Sequence, residues 1–405
     1  MSFDPNERQT TPVEANAASD PEKSVVRRRT RLRELIVDEI RRHGPMPFSR
    51  YMELCLYHPE FGYYSRAAEQ FGKAGDFYTS SDVHAVFGRL LARQFEEMWR
   101  ALDSPERIDL IELGPGRGLF ARDVLDWSAK QFLGFTGALR YALVEQSPIL
   151  RSRLQARLSD YLAEGTAAVF ESLESAATAA GHHLIVFANE FFDALPVDIV
   201  DHRGSVRVAE NNGRFCEQFV PPSANELEYL DGYGVRPQAG ERVEVSLGSL
   251  AWMKRIAAAF NGGRGFVVLI DYGYTREEQL VGRHRGTLMT YRRHQANPSP
   301  YEAPGDQDIT AHVNFTALQS AASDDGLEPI ALLTQSQFLF GIGEGTQFSD
   351  AFQECKLPQE RAKVALQLKH LISPESMGET FQVLVMSGDV PYQEAARLSG
   401  LKLTP

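Results

Sequence analysis

Three glycines at alternate positions, Gly114, Gly116 and Gly118, follow directly on the apolar run Ile108-Asp109-Leu110-Ile111-Glu112-Leu113. Glycine admits positive φ and lets a ligand approach without meeting a Cβ. The helical pattern that follows (Leu119, Phe120, Val124, Leu125) offers free N–H groups at its start. Together they form a cradle at the carboxyl end of a strand. The spacing is not the G-x-G-x-x-G of dinucleotide sites, and Pro115 removes an N–H that a pyrophosphate would want. Glu112, two residues before the first glycine, repels a phosphate but suits an ammonium. A second strand-like run, 139–144, ends in Glu145, at about the distance expected of a carboxylate that holds ribose hydroxyls. Glu112, the glycine turn and Glu145 therefore read as a site for S-adenosyl-L-methionine.

A second constellation is Val186-Phe187-Ala188-Asn189-Glu190-Phe191-Phe192-Asp193, an apolar strand ending abruptly in polar and aromatic residues. In a doubly wound sheet this end lies on the rim that holds the cofactor. Methyl transfer needs an aligned nucleophile, exclusion of water and an acceptor for its proton. Asn189 and Glu190 are placed to accept from a nitrogen substrate, Phe191 and Phe192 to wall off water, and Glu190 or Asp193 to take the proton. The alternative role for Asn189 and Asp193 is to cap the next helix. His58, His294 and His312 are isolated, so no metal site is expected. No G-x-S-x-G element supports a hydrolase.

These residues require a scaffold of alternating strands and helices. Strands are expected at 108–113, 139–144, 167–170, 183–188, 265–273 and 381–386, and helices at 29–43, 82–102, 118–130, 147–160, 249–261, 315–325 and 346–371. Such alternation predicts a parallel sheet covered on both faces. Residues 197–248 carry short β-like runs separated by Gly, Pro and Asn turns. The segment 274–310 is polar and nearly aperiodic, a long loop of the functional kind. The aromatic and glycine-rich stretch 57–81 suits a lid. The expected organisation is a disordered tail over 1–28, N-terminal helices and lid over 29–105, a core of 106–196 and 262–390, an inserted substrate-facing region of 197–261, and the functional loop 274–310 within the core.

Composition narrows the function classes. A formal charge of −12, without basic patches interleaved with aromatics, argues against nucleic acid. Cys55, Cys216 and Cys355 lie too far apart for a metal or disulfide framework, which favours a reducing compartment. No apolar run reaches the length of a membrane span. The acidic residues before position 24 do not suit a transit peptide, so a cytoplasmic protein is expected, with the mitochondrial matrix as the counterpart in a eukaryote.

Taken in order, the strings MPFSRYMELCLYHPEFGYYS, GDFYTSSDVHAVFG, IELGPGRG, LVEQSP, ANEFFDALPV, VVLIDYG, GTLMTYRRHQANPSPYEAPGDQDITAHVNFTAL and TQSQFLFGIG resemble the MidA-like family of class I S-adenosyl-L-methionine-dependent methyltransferases. Ser81 departs from the family's usual TSP. The resemblance implies an α/β, Rossmann-like seven-strand methyltransferase core with an added β-rich and helical substrate-facing region. It implies S-adenosyl-L-methionine as cofactor, with Gly114, Gly116 and Gly118 matching the donor-binding turn, Glu145 the ribose acid, and Asn189 and Glu190 the catalytic-rim motif; Glu112, Asn189 and Asp76 are further candidates for holding the cofactor, and Asp193 for the reacting centre. By analogy the substrate is a protein arginine of a respiratory complex I subunit, symmetrically dimethylated; a homodimer is left open. The alternatives are a methyltransferase acting on a small molecule, and an assembly chaperone that keeps the donor pocket without using it.

Overall fold

The computed structural model describes residues 21–66, 85–292, 295–297 and 299–402. Its strands in chain order are β1 (Met46–Pro47), β2 (Ile108–Leu113), β3 (Leu139–Val144), β4 (Ala167–Phe170), β5 (His183–Asn189), β6 (Asp198–Asp201), β7 (Gly204–Asn211), β8 (Arg214–Val220), β9 (Arg242–Val245), β10 (Arg264–Tyr274), β11 (Met289–Arg292), β12 (Gln295–Asn297), β13 (Asp308–Thr310), β14 (Val313–Asn314), β15 (Glu328–Thr334) and β16 (Phe381–Gly388). The main sheet runs β15-β16-β10-β5-β2-β3-β4, with β14 added to the end of β10. Its strands are parallel except β16, which lies antiparallel between β10 and β15.

The central strands are buried on both faces, which is why they read as nearly unbroken apolar runs. Residue alternation sorts them into two cores. Ile108, Leu110, Phe187 and Val268 face one side with Val86, Leu90 and Phe95 of the helix Ala85–Ala101 and Phe120 and Val124 of the helix Leu119–Gln131. Ile111, Leu113, Val186 and Val267 face the other with Met253 and Ile256 of the helix Leu247–Phe260 and Leu318 of the helix Phe315–Asp324. From β2 the chain winds outward through β3 and β4, then returns to β5 on the opposite flank of β2. That reversal opens a crevice at the carboxyl ends of β2 and β5.

Three features differ from the expectation. The seventh strand, β15, was not legible because Pro329 interrupts Glu328-Pro329-Ile330-Ala331; the register shifts there, as an edge strand tolerates. The segment 274–310 is not a bare loop but includes the three-stranded meander β12-β11-β13, whose strands are too short to show a period. The helix Leu247–Phe260, grouped above with the insertion, covers the main sheet instead. What stands off that sheet is a second one of β1, β6, β7, β8 and β9. It shares a core with Leu32 and Ile36 of the helix Pro21–His43, Phe48 and Tyr51 of the helix Phe48–Tyr57, and Ile309. Thus the N-terminal helices and the insertion form one packed unit over the strand ends. Among the described residues no helix is long and apolar enough to cross a membrane.

The first core centres on Phe187, fully buried, with its ring stacked on Phe120 at 4.5 Å and edge-on to Phe95 at 5.5 Å. Phe187→Ala is expected to cost about 3–5 kcal/mol, read as a lower urea midpoint with an unchanged slope. A loss under about 1 kcal/mol would show that this stack does not anchor the core.

Candidate active site

The glycine turn sits at the crevice. Gly114, Gly116 and Gly118 take φ of 63°, 52° and 72°, values that residues with a Cβ adopt rarely. A Cβ on Gly114 would lie 2.9 Å from the Phe191 ring, and one on Gly118 would lie 2.6 Å from a Leu154 methyl. The Gly114 N–H donates to the Val144 carbonyl at 3.1 Å, tying the turn to the end of β3. A cavity of about 900 Å³ runs past this turn, with Glu112, Gly116, Leu119, Glu145 and Pro148 along one end.

Both acids expected there line it. Glu112 continues the alternation of Ile108 and Leu110 and is almost wholly buried; the Tyr141 hydroxyl donates to its Oε2 at 2.9 Å. Burial outweighs that bond and pushes its carboxyl up to about 8. Glu145 Oε1 accepts from the Ser147 N–H at 2.8 Å, and burial raises it to about 7. Ser147 also caps the helix Pro148–Arg157 and donates through Oγ to the Tyr64 carbonyl, joining this rim to the N-terminal unit.

At the other end of the cavity β5 stops at Asn189, and Glu190 turns into the left-handed region at φ 51°, a conformation that costs a side chain about 1 kcal/mol. The Glu190 N–H donates to the Ile270 carbonyl at 2.9 Å. Asn189 Nδ2 donates to Glu190 Oε1 at 3.1 Å, while Asn189 Oδ1, buried in the cavity wall, has no partner among the described residues. Asp193 is also buried in this wall. Its Oδ2 accepts from the Tyr272 hydroxyl at 2.6 Å, its Oδ1 has no partner among the described residues, and burial lifts the carboxyl to about 6. Asp308 stands in the same wall, accepts from the Tyr64 hydroxyl at 3.2 Å, and is raised to about 7 by burial and the nearby Asp193. His312 completes this part of the wall. Its ring lies edge-on to Tyr272 at 5.1 Å, Nδ1 has no partner among the described residues, and burial lowers it to about 4, so it is neutral.

The fold thus brings Glu112, Gly114, Gly116, Glu145, Asn189, Glu190 and Asp193 to one cavity. Gly118 serves from behind, as the N-cap of the helix Leu119–Gln131. Asp76, with most of the lid segment, lies outside the described residues. The sequence reading did not assign Asp271, Tyr272, Asp308 or His312 to the site, and it gave Tyr57 and Tyr64 as part of the aromatic lid. Asp271 had a signal, since it ends the apolar run of β10 on the same rim; Asp308 had none, because only packing brings it there. Phe191, expected to wall off water, lies in the cavity wall with its ring edge-on to Trp252 at 4.9 Å.

Residues 90–332 match the model of a family of S-adenosyl-L-methionine-dependent methyltransferases. The chain is 29% identical over 372 residues to a Drosophila melanogaster protein named protein arginine methyltransferase NDUFAF7 homolog, mitochondrial, covering 85% of this chain and 82% of that one. It is 25% identical over 397 residues to the Homo sapiens protein arginine methyltransferase NDUFAF7, mitochondrial, covering 89% and 83%. A crystal structure of a superfamily member from Burkholderia thailandensis bound to S-adenosyl-homocysteine superposes with a TM-score of 0.81 at 29% identity, over 98% of both chains. The α/β, Rossmann-like class I arrangement expected from the sequence is the one found, and the cofactor is S-adenosyl-L-methionine.

Four cavity carboxyls hold their protons more tightly folded than unfolded. These four groups therefore contribute stability to the ligand-free protein that is fully present below the ordinary carboxylate range and is lost as pH rises through about 6 to 8. Glu112→Gln keeps an acceptor for Tyr141 but cannot ionise. Its stability relative to the parent is expected to grow from pH 5 to pH 9, by up to about 4 kcal/mol. Thermal unfolding across that range measures it, and a pH-independent difference between the two proteins contradicts the assignment.

Proposed function

Since the chain belongs to the S-adenosyl-L-methionine-dependent methyltransferases, we propose that it methylates an arginine side chain of a protein, in a chamber formed by Asn189, Glu190, Asp193, Asp308 and His312. The donor end fits its cofactor on two counts: a Cβ at Gly114 would fill the cradle against Phe191, and the buried Glu112 there is hydrogen-bonded to the Tyr141 hydroxyl rather than to a cation. Glu112 would hold the ammonium group, the glycine turn the amino acid carboxylate, and Glu145 the ribose hydroxyls, with Asn189 at the junction of donor and acceptor. Asp76 is a further candidate for holding the cofactor. When bound, the cofactor supplies a methyl group made electrophilic by its sulfonium.

The observation that carries the arginine reading is a set of unmatched acceptors. Asn189 Oδ1, Asp193 Oδ1 and His312 Nδ1 are buried in one cavity and have no donor among the described residues. Buried acceptors are normally paired. A guanidinium carries five N–H donors and no acceptor, so it suits such a wall, with His312 as its Nε2–H tautomer. Tyr57, Tyr64, Tyr272 and Tyr291 supply aromatic faces and edges for a planar cation. The Asp193 and Asp308 carboxylates would fix the plane of the group and turn one nitrogen toward the donor. Asp193 or Glu190 would then take the proton that this nitrogen releases. The family resemblance extends the proposal to symmetric dimethylation and to a respiratory complex I subunit as acceptor.

Incubation with methyl-labelled donor and a lysate, followed by acid hydrolysis, tests this. Label is expected in polypeptide and recovered as methylarginine. Asp193→Asn should lower transfer at least about a hundredfold while the affinity for S-adenosyl-homocysteine changes only a few-fold. Label confined to small metabolites would favour the small-molecule alternative and sink the arginine reading. Gly114→Val, strained at φ 63° and pressed against Phe191, should abolish binding of S-adenosyl-homocysteine in calorimetry. If client function survived that change, a chaperone role would stand instead.

A further inference from the structure

Asp271 ends the buried part of β10 next to the carboxyl end of β5 and is 1% exposed. Its Oδ2 accepts three consecutive backbone N–H groups, those of Phe191 at 3.2 Å, Phe192 at 2.9 Å and Asp193 at 3.2 Å. Its Oδ1 accepts the N–H of Tyr272 at 2.9 Å. Four donors thus converge on one carboxyl, with the acids Glu190 and Asp193 as its charged neighbours. The bonded residues are those that leave the left-handed Glu190 and lead to the Asp193 carboxyl. Tyr272, fixed from the other oxygen, in turn donates to Asp193 Oδ2. One side chain therefore sets both the backbone that carries Asp193 and the tyrosine that orients its carboxylate.

From this geometry we infer that Asp271 is a positioning residue for methyl transfer, a clamp that fixes the turn 190–193 so that Asn189, Glu190 and Asp193 present their oxygens to the acceptor together. The chemistry demands a carboxyl here. An asparagine carbonyl can keep the three bonds on one side, but its amide would then meet the Tyr272 N–H donor to donor. Merely filling space would need no acceptor, and an apolar side chain here would leave four backbone N–H groups without one. The clamp also explains how Glu190 holds its strained backbone: the N–H groups that follow it all have one fixed acceptor.

This inference rests on the methyl-transfer reading only for its rate measurement, and it holds whether the acceptor is protein or small molecule. Asp271→Ala and Asp271→Asn are compared with the parent by three readouts. These are deuterium exchange of the amides 191–193, the dissociation constant for S-adenosyl-homocysteine, and transfer of label to whichever lysate component the parent labels. Asp271→Ala should exchange faster at 191–193, bind S-adenosyl-homocysteine within about threefold of the parent, and lose about a hundredfold in kcat with little change in the donor KM. Asp271→Asn, keeping three of the four bonds, should fall between Ala and the parent in both exchange and rate. An unchanged rate, unchanged exchange, or donor affinity falling in step with the rate would overturn the clamp. So would failure of the Asn variant to fold, since Asp271 would then serve stability alone. The protein-arginine reading fails separately, if the parent's label appears only in small molecules.

Discussion

Carboxyl groups held out of water without matching cations are the constraint around which this molecule is organised. Glu112, Glu145, Asp193, Asp271 and Asp308 are all nearly or fully buried, and their hydrogen bonds in the cavity wall come from tyrosine hydroxyls and backbone N–H groups. Such dipoles lower the cost of burial without cancelling the charge. Burial keeps these groups inclined to hold their protons, and a ligand that carries positive charge favours their ionised forms. Arg255, which lines the cavity, is held by Glu174 and lies over the Trp252 ring.

A wall of this kind cannot be built by one segment, because three of its acids take a partner from elsewhere in the chain. Glu112 is met by Tyr141 from the adjacent strand, Asp308 by Tyr64 from 244 residues earlier, and Asp193 by Tyr272. The main sheet fixes the first and third of these through the parallel register of β2, β3, β5 and β10. The second depends on the unit that packs over the strand ends. In that unit the N-terminal helices share a core with the insertion, and the Tyr57 hydroxyl donates to the Ala194 carbonyl at 2.8 Å. Donor cradle and acceptor chamber are thus products of two different packing events that meet at Asn189.

Much of the scaffold could be read from the chain. The runs at 108–113, 139–144, 183–188 and 265–273 are apolar because both faces are covered, and each is a strand close to its expected bounds. β15 escaped because a proline in a short run argues against a strand unless one knows that it lies at a sheet edge. The meander of β11 to β13 escaped because strands of three or four residues carry too few positions to show alternation. The insertion's border was misjudged because an amphipathic helix looks alike whichever sheet it covers.

The chain by itself determined the donor end. Strand, glycine turn and helix are contiguous there, and the acids at 112 and 145 follow from strand length and spacing, all of them local properties of the backbone. Tertiary structure alone decided what Asn189, Glu190 and Asp193 would face. Asp271, Asp308, His312 and the two tyrosines come from segments remote in sequence, and no periodicity reports which loops will face one another. Their meeting depends on how the second sheet docks over the first, a matter of side-chain volume and shape summed over a whole core.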